Sequence, residues 1–511
     1  AQNPLSPEVA RSANGPGKLA QYQQGGNLGL VQDLNTAPRP VTTPLSVTGP
    51  ILRSRVIVGQ DTTTIDDLEI EGGVTMIRDR ISDSATLPLT ITGEKLKMNT
   101  ADGGMMDVQI VGAPALIRLG SGHLQGTEVR FNQKSQLVWM DHPGSLTLPP
   151  EFLAATAGAT SKMTWISPPL VKWNGTMTFD GKVARVTGGV KISGDLMSDE
   201  ENRWVILGDA EQMEVHLTQA VAMGQPSMAP SEVDKVVLKN NVDLRALSSD
   251  PTGQIEKSRE RLSVPELTFN MKQQTMLGAG PGWLRSRRIG QNGSVFGSHP
   301  LHCLHLTFLG SMQGNFAKGE VEFIDHIEAL YGPIRQWDDV LDVNQLKSLV
   351  LDQTLMTCDK LKIFSTSDLS WNRNMAGPGN QAWELAASGK VTIDSMTSSG
   401  ELKVSAPEVQ YAGLQELLRI YGSPHEPGVI TRRNAARPSE LPLTLEVSFI
   451  EVNARTLDHG KMQLIRASGG MNPNPRPGEP TQGSGPQGAF QPGAVKQEPI
   501  PSPRMFPNYR K

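Results

Sequence analysis

The densest set of reactive side chains lies at His299-Pro300-Leu301-His302-Cys303-Leu304-His305. Imidazole nitrogens and a thiolate are zinc ligands, and a structural zinc site needs four that converge. On a strand, Cys303 and His305 share one face and His302 takes the other, because side chains alternate. No second Cys/His cluster completes such a site, so no metal and no cofactor are expected. The only other cysteine is Cys358. A disulfide between the two is one pairing that the spacing leaves open.

Arg285, Arg287 and Arg288 follow Trp283 closely. Guanidinium groups grip phosphate bidentately, so these three are head-group candidates; a solvated strand end is the plainer reading. No Gly-x-Ser-x-Gly elbow supports nucleophilic catalysis. Gly278-Ala-Gly-Pro-Gly282 lacks the Lys-Ser/Thr of a phosphate loop and reads as a turn. Asp338-Asp339 reads as a solvated pair rather than a general acid and base. The chain is therefore expected not to be an enzyme. Methionine is abundant, 20 residues, and suits either core filling or an interior that adapts to irregular guests.

The elements that must position these residues follow from composition. The 511 residues include 51 Gly and 37 Pro, with 37% hydrophobic and 5% aromatic residues. Gly and Pro are the poorest helix formers, which argues against a helical bundle. Many short strands joined by Gly/Pro turns fit better. The net charge of −4 carries no basic footprint for nucleic acid. No apolar run reaches the length of a membrane-spanning helix. The chain begins Ala-Gln-Asn-Pro, which suits a processed N-terminus, as a periplasmic or envelope-associated protein would have, or simply a cloned fragment.

Period-2 alternation marks strands at 108–111, 127–131, 236–239, 266–269, 408–411 and 443–449. Residues 334–350 place apolar side chains roughly on one helical face, so a helix is expected there. Residues 151–167 read as a short helix or a connection. Residues 1–50 read as an N-terminal linker. The Pro-rich tail 471–511 has too little apolar content to offset its ordering entropy and is expected to be disordered.

An internal repeat organises the middle. Leu124-x3-Glu128-Val129-x-Phe131-Asn132 recurs as Leu262-x3-Glu266-Leu267-x-Phe269-Asn270, and more loosely as Leu402, Glu408, Val409 and Tyr411. Pro143-Gly144 and Pro281-Gly282 close the first two copies, and Gly422 and Gly428 stand in the third. Trp173-Asn-Gly-Thr-Met177 matches Phe308-Leu-Gly-Ser-Met312, Gly72-Gly73 matches Gly188-Gly189, and Thr92–Met98 matches Leu207–Met213 and Thr357–Ile363. Units that each bury one apolar face against the next form a common interior. Val129, Phe131, Leu267, Phe269, Val409 and Tyr411 are expected to point inward, and Glu128, Glu266 and Glu408 outward. The units expected are 51–150, 168–290 and 300–432, with terminal strands at 438–470.

This rhythm of short strands, with its G-[DE]-x-L and L-x3-E-[VL]-x-[FY] segments, resembles the OstA-like (organic solvent tolerance) family, which includes lipopolysaccharide-transport proteins of the LptA and LptC type. The resemblance covers roughly 52–470. It implies an all-β fold, an elongated stacked β-jellyroll or β-taco of about three units. It implies a non-enzymatic envelope protein that binds or conducts lipopolysaccharide or a similar lipid in an apolar groove. The six inward residues are then lipid-groove candidates, and neighbouring β-taco proteins are partners by edge-strand addition. A scaffolding protein of the same fold without lipid cargo is the alternative. A carbohydrate-active β-solenoid is a third reading, and would need recurring carboxylate pairs.

Overall fold

The computed structural model describes residues 45–58, 63–78, 89–101, 105–119, 121–148, 163–198, 202–220, 232–289, 301–315, 318–343, 348–365, 383–412, 417–437, 439–453 and 459–468. These residues form one antiparallel sheet of 26 strands, with no α-helix among them. Long through strands come in three runs of four. The first run is β3 (Thr63–Arg78), β4 (Leu89–Ala101), β5 (Met105–Leu119) and β6 (Gly122–Asn132). The second is β11 (Val183–Ser198), β12 (Asn202–Leu217), β13 (Val233–Ser249) and β14 (Glu256–Asn270). The third is β19 (Glu320–Pro333), β20 (Gln353–Ser365), β21 (Trp383–Thr397) and β22 (Gly400–Ala412).

Between the runs, two short strands share one level end to end. β7 (Leu137–Met140) and β8 (Gly144–Thr147) pair with the two halves of β6, and β9 (Met163–Trp173) and β10 (Met177–Phe179) with the two halves of β11. β15 (Thr275–Ala279) and β16 (Gly282–Ile289) do the same on β14, and β17 (Leu301–Phe308) and β18 (Ser311–Asn315) on β19. β23 (Leu417–Tyr421) and β24 (Gly428–Asn434) split on β22, before β25 (Leu443–Asn453) and β26 (His459–Ser468). At the start, β1 (Leu45–Thr48) and β2 (Ile51–Val58) split on β3.

The splits align with irregularities in the through strands and so define one seam. β3 and β11 cross it at Gly72-Gly73 and Gly188-Gly189, β13 at Asn240-Asn241, β19 at Asp325-His326 and β21 at Gly389-Lys390, where the register shifts. All ten of these residues have positive φ, a region open to Gly and tolerated by Asn and Asp. The β9/β10 and β17/β18 breaks fall at Asn174-Gly-Thr and Leu309-Gly310, the matched positions of the repeat.

The seam divides the sheet into two arms whose inner faces pack together. Phe308 of β17 lies in one arm and Phe323 of β19 in the other, with ring centroids 5.3 Å apart. A single core cluster runs from Ile70 to Val452 and draws on both arms. Six methionines, Met76, Met140, Met177, Met213, Met312 and Met356, are buried in it.

The repeat lands where stacking requires: Leu124, Leu262 and Leu402 lie on β6, β14 and β22, each the last through strand of its run. Several expectations differ from the structure. The helix expected over 334–350 is absent; 334–343 and 348–350 are irregular, and 344–347 lie outside the described residues. Its apolar residues fold down instead, Ile334, Trp337 and Leu341 packing on Leu301 and Cys303. The Asp339 carboxylate accepts the backbone N–H groups of Arg335 and Gln336, at 2.9 and 3.0 Å. Such local bonding competes with helix formation, and β-branched Val340 and Val343 add to the effect.

Residues 45–48 of the expected linker form β1, and 163–167 belong to β9. Residues 1–44, 151–162 and the tail 471–511 lie outside the described residues.

Candidate functional site

Strand register brings the expected inward residues into two parallel cross-strand ladders on the inner face of the first arm, the arm that holds β2, β7, β10, β15, β18 and β23. Nearer the seam, Ile70, Leu96, Ile110 and Val129 stand opposite one another in turn. After the split strands the ladder continues through Leu238, Leu267, Gly278, Met312 and Phe323 to Leu361, Ala387, Val409, Ile420 and Ile450. Val129, Leu267 and Val409 are 1%, 0% and 0% exposed. They are sealed core, and a guest could reach them only by displacing neighbours.

Two residues further from the seam runs the second ladder. It begins Leu68, Met98, Val108, Phe131, Val138, Phe179, Ala184, Val215, Val236 and Phe269. It continues Met276, Gly314, Val321, Ile363, Leu385, Tyr411, Leu418 and Val452. Apart from Val215, Val236, Gly314 and Val452, its members are half-buried. Phe131, Phe269 and Tyr411 therefore lie on a partly exposed apolar strip that crosses all three runs of through strands. Glu128, Glu266 and Glu408 lie on the opposite face from their inward neighbours, as alternation demands.

The opposing arm contributes its own ladder. Met76, Ile91, Ile117, Leu124, Leu146, Val171 and Ile192 stand in register, as do Leu244, Leu262, Leu284, Leu306, Ala329, Met356, Ile393, Val404, Ile430 and Leu445. The inner faces of both arms thus carry continuous apolar rows. Motif reading found Phe131, Phe269 and Tyr411. It missed Phe179, Met276 and Leu284, because the short split strands leave too few residues to show alternation.

The three head-group candidates do not share a face. Arg288 lies on the inner side, where it donates to Glu260 at 2.8 Å. Arg285 and Arg287 lie on the outer side with Trp283. Below 334–341, Cys303 and His305 occupy that same outer face, while His302 turns inward and stacks on Tyr331 with centroids 5.4 Å apart. His305 donates from Nδ1 to the Leu341 carbonyl at 2.6 Å, and burial lowers its pKa. Burial also raises the thiols, Cys358 to about 12. Both cysteines are free and buried, Cys303 under the 334–341 segment and Cys358 in the main core, so no disulfide joins them. His299 lies outside the described residues, and among those described no three metal-ligating side chains converge.

Several outer-face carboxylates of the first arm are engaged in ion pairs. Glu71 accepts from Lys95 at 2.6 Å and Arg53 at 2.7 Å, Glu214 from Lys239 at 2.9 Å, and Glu451 from Arg419 at 2.9 Å. On the second arm's outer face, a polar recess of about 530 Å³ is lined by His123, Gln125, Thr147, Lys172 and Ser193, among others, with no carboxylate pair. No protein-family model, curated protein or solved structure matches the chain.

Proposed function

We propose that this chain is a non-enzymatic cell-envelope protein of the OstA-like kind, which holds the acyl chains of lipopolysaccharide or a similar lipid along its inner apolar strip. The half-buried second ladder through Phe131, Phe269 and Tyr411 carries this reading. A strip that is apolar, continuous and partly exposed can take alkyl chains at about 0.8 kcal/mol per buried CH₂. The first ladder is a floor rather than a lining. Support also comes from the repeat, since its three copies occupy corresponding strands. Lipid-bearing neighbours of the same architecture would add at the edge strands of the described sheet, β2 and β26.

Phe131→Asp and Phe269→Asp each put a carboxylate into the strip. Both variants should retain the far-ultraviolet β spectrum and lose binding of a fluorescent acyl probe. Folded variants with unchanged probe binding would sink the groove assignment. Native mass spectrometry of protein taken from its own envelope should show a bound lipid.

The scaffolding alternative draws on one observation. The ladder beside the seam is shut to water, with Leu96 and Leu267 both 0% exposed. A stack held by that ladder alone would be stable without cargo. Wild-type protein that binds no acyl probe would favour it.

A further inference from the structure

Across β13, β14, β16 and β17 the outer face of the second arm sets cations directly opposite one another. Arg245 stands opposite Arg261, and Arg261 opposite Arg285; Arg285 in turn faces His305, an imidazole that burial disfavours charging. One step along, Arg259 stands opposite Arg287. Like charges directly opposite on a sheet are destabilising unless something offsets them.

Most of this block is neutralised. Asp243 accepts from Arg245 at 2.9 Å and from Arg261 at 2.8 Å. Asp338 accepts from Arg259 at 2.9 Å, and Glu256 is a second partner of Arg259. Two guanidiniums are left over. Arg287 donates from Nε to the neutral Asp339 carbonyl at 3.1 Å and also bonds the Cys303 thiol, and it forms no ion pair with the described residues. Arg285 forms no ion pair with the described residues and its buried Nε has no hydrogen-bond acceptor among them; Asp342 offsets its charge only from beyond ion-pair distance. The Trp283 ring centroid lies 4.9 Å from the Arg285 guanidinium and 5.2 Å from that of Arg261, a cation–π contact with each.

We infer that Arg285 and Arg287, with Arg261 beside them, form a binding site for a phosphate-class oxyanion on the outer face of the second arm. A tetrahedral oxyanion offers the acceptors these forks lack, in the bidentate geometry that guanidinium favours. It would also screen Arg261, Arg285 and Arg287 from one another. Burial, and then Arg287, already hold Arg285 below its ordinary pKa, which is the cost a bound anion would relieve. The site lies on the opposite side of the sheet from the apolar strip, so it stands or falls separately from the lipid reading.

The test uses the full chain and inorganic phosphate, followed by titration calorimetry and by thermal melting at constant ionic strength. Wild type should bind phosphate saturably and melt higher in phosphate than in chloride, because a ligand of the native state stabilises it. Arg285→Gln should lose at least tenfold in affinity, Arg285→Lys should recover part of it, and Arg419→Gln, on the other arm, should bind as wild type does. Should Arg285→Gln fail to fold, Arg287→Gln replaces it with the same expectation. Cosedimentation with phosphatidic acid vesicles that depends on Arg285, beside weak binding of free phosphate, would support the site and identify a membrane as its source. Absence of saturable binding to either probe, or equal affinity in wild type and folded Arg285→Gln, would overturn the inference.

Discussion

At the residue scale, positions two apart on one strand have different duties. Leu267 is sealed, whereas Phe269 sits on the half-buried strip. Leu267→Ala should therefore cost about 2–5 kcal/mol of stability, since truncating a buried Leu loses transfer energy and leaves a cavity. Acyl-probe affinity of the folded fraction should hold. Chemical denaturation checks the first outcome and probe titration the second; a reversed pattern would mean that the strip lies nearer the seam. Glu71 gives a pH expectation. Hydrogen bonds from Lys95, then Arg53, hold its carboxyl down at about 2 from an ordinary 4.5. A depressed carboxylate contributes stability above its unfolded pKa and loses it as pH falls through the folded value. Amide protection in β2 and β3, exchange relative to the intrinsic rate at each pH, should therefore fall between pH 4.5 and about 2, and Glu71→Gln should flatten that response. The motif residues were legible in the sequence because the E-[VL]-x-[FY] alternation states which way each points. Depth was not legible, because Val129 and Phe131 share one face and only the opposing arm decides which of them is shut.

At the element scale, the seam makes a single sheet into two packed arms. Gly188 illustrates what it demands: φ is +83°, and an added Cβ would lie 2.6 Å from the Cα of Gly175. Two backbones meet there with no room for a side chain. Gly188→Ala should destabilise by about 1–3 kcal/mol through left-handed strain alone, with the close approach adding to it. A melting temperature equal to wild type would show that the seam can relax. The Gly-Gly pairs of β3 and β11 were visible as repeated dipeptides, and so was the Pro-Gly rhythm. The same bend is made by Asn240-Asn241, Asp325-His326 and Gly389-Lys390, which no fixed motif captures because several residue types tolerate that conformation. The 334–350 segment misled for a related reason. Apolar spacing suits a helix or a strap equally, and the competition was decided by Asp339 and by the unoccupied outer surface of β17.

At the scale of the whole sheet, stability should be graded from the ends. Among the described residues every level from β3 to β25 has a neighbour on both sides, whereas β1, β2 and β26 have one each. All eight residues of β2 are exposed, including Ile51, Leu52, Val56, Ile57 and Val58. A repeat stack gains its stability from nearest-neighbour interfaces, so end strands should open without the rest. Amide exchange should be fastest in β1, β2 and β26 and slowest in β12 to β14, where Leu238 and Val242 are buried. The same measurement bears on docking. The chain runs from the second arm to the first in β1 and β2, and from the first to the second in β26. A strand added antiparallel to either edge would therefore keep arm on arm and extend the apolar ladders. Edge addition by a protein of this architecture should slow exchange in β2 or β26 selectively and leave β12 to β14 unchanged. Ile57→Lys, which puts a charge into the apolar Val56-Ile57-Val58 end of that edge, should remove that selective slowing at β2. Uniform protection along the sheet, with no difference between its ends and its middle, would mean that the stack melts as one unit and that its edges are not adhesive.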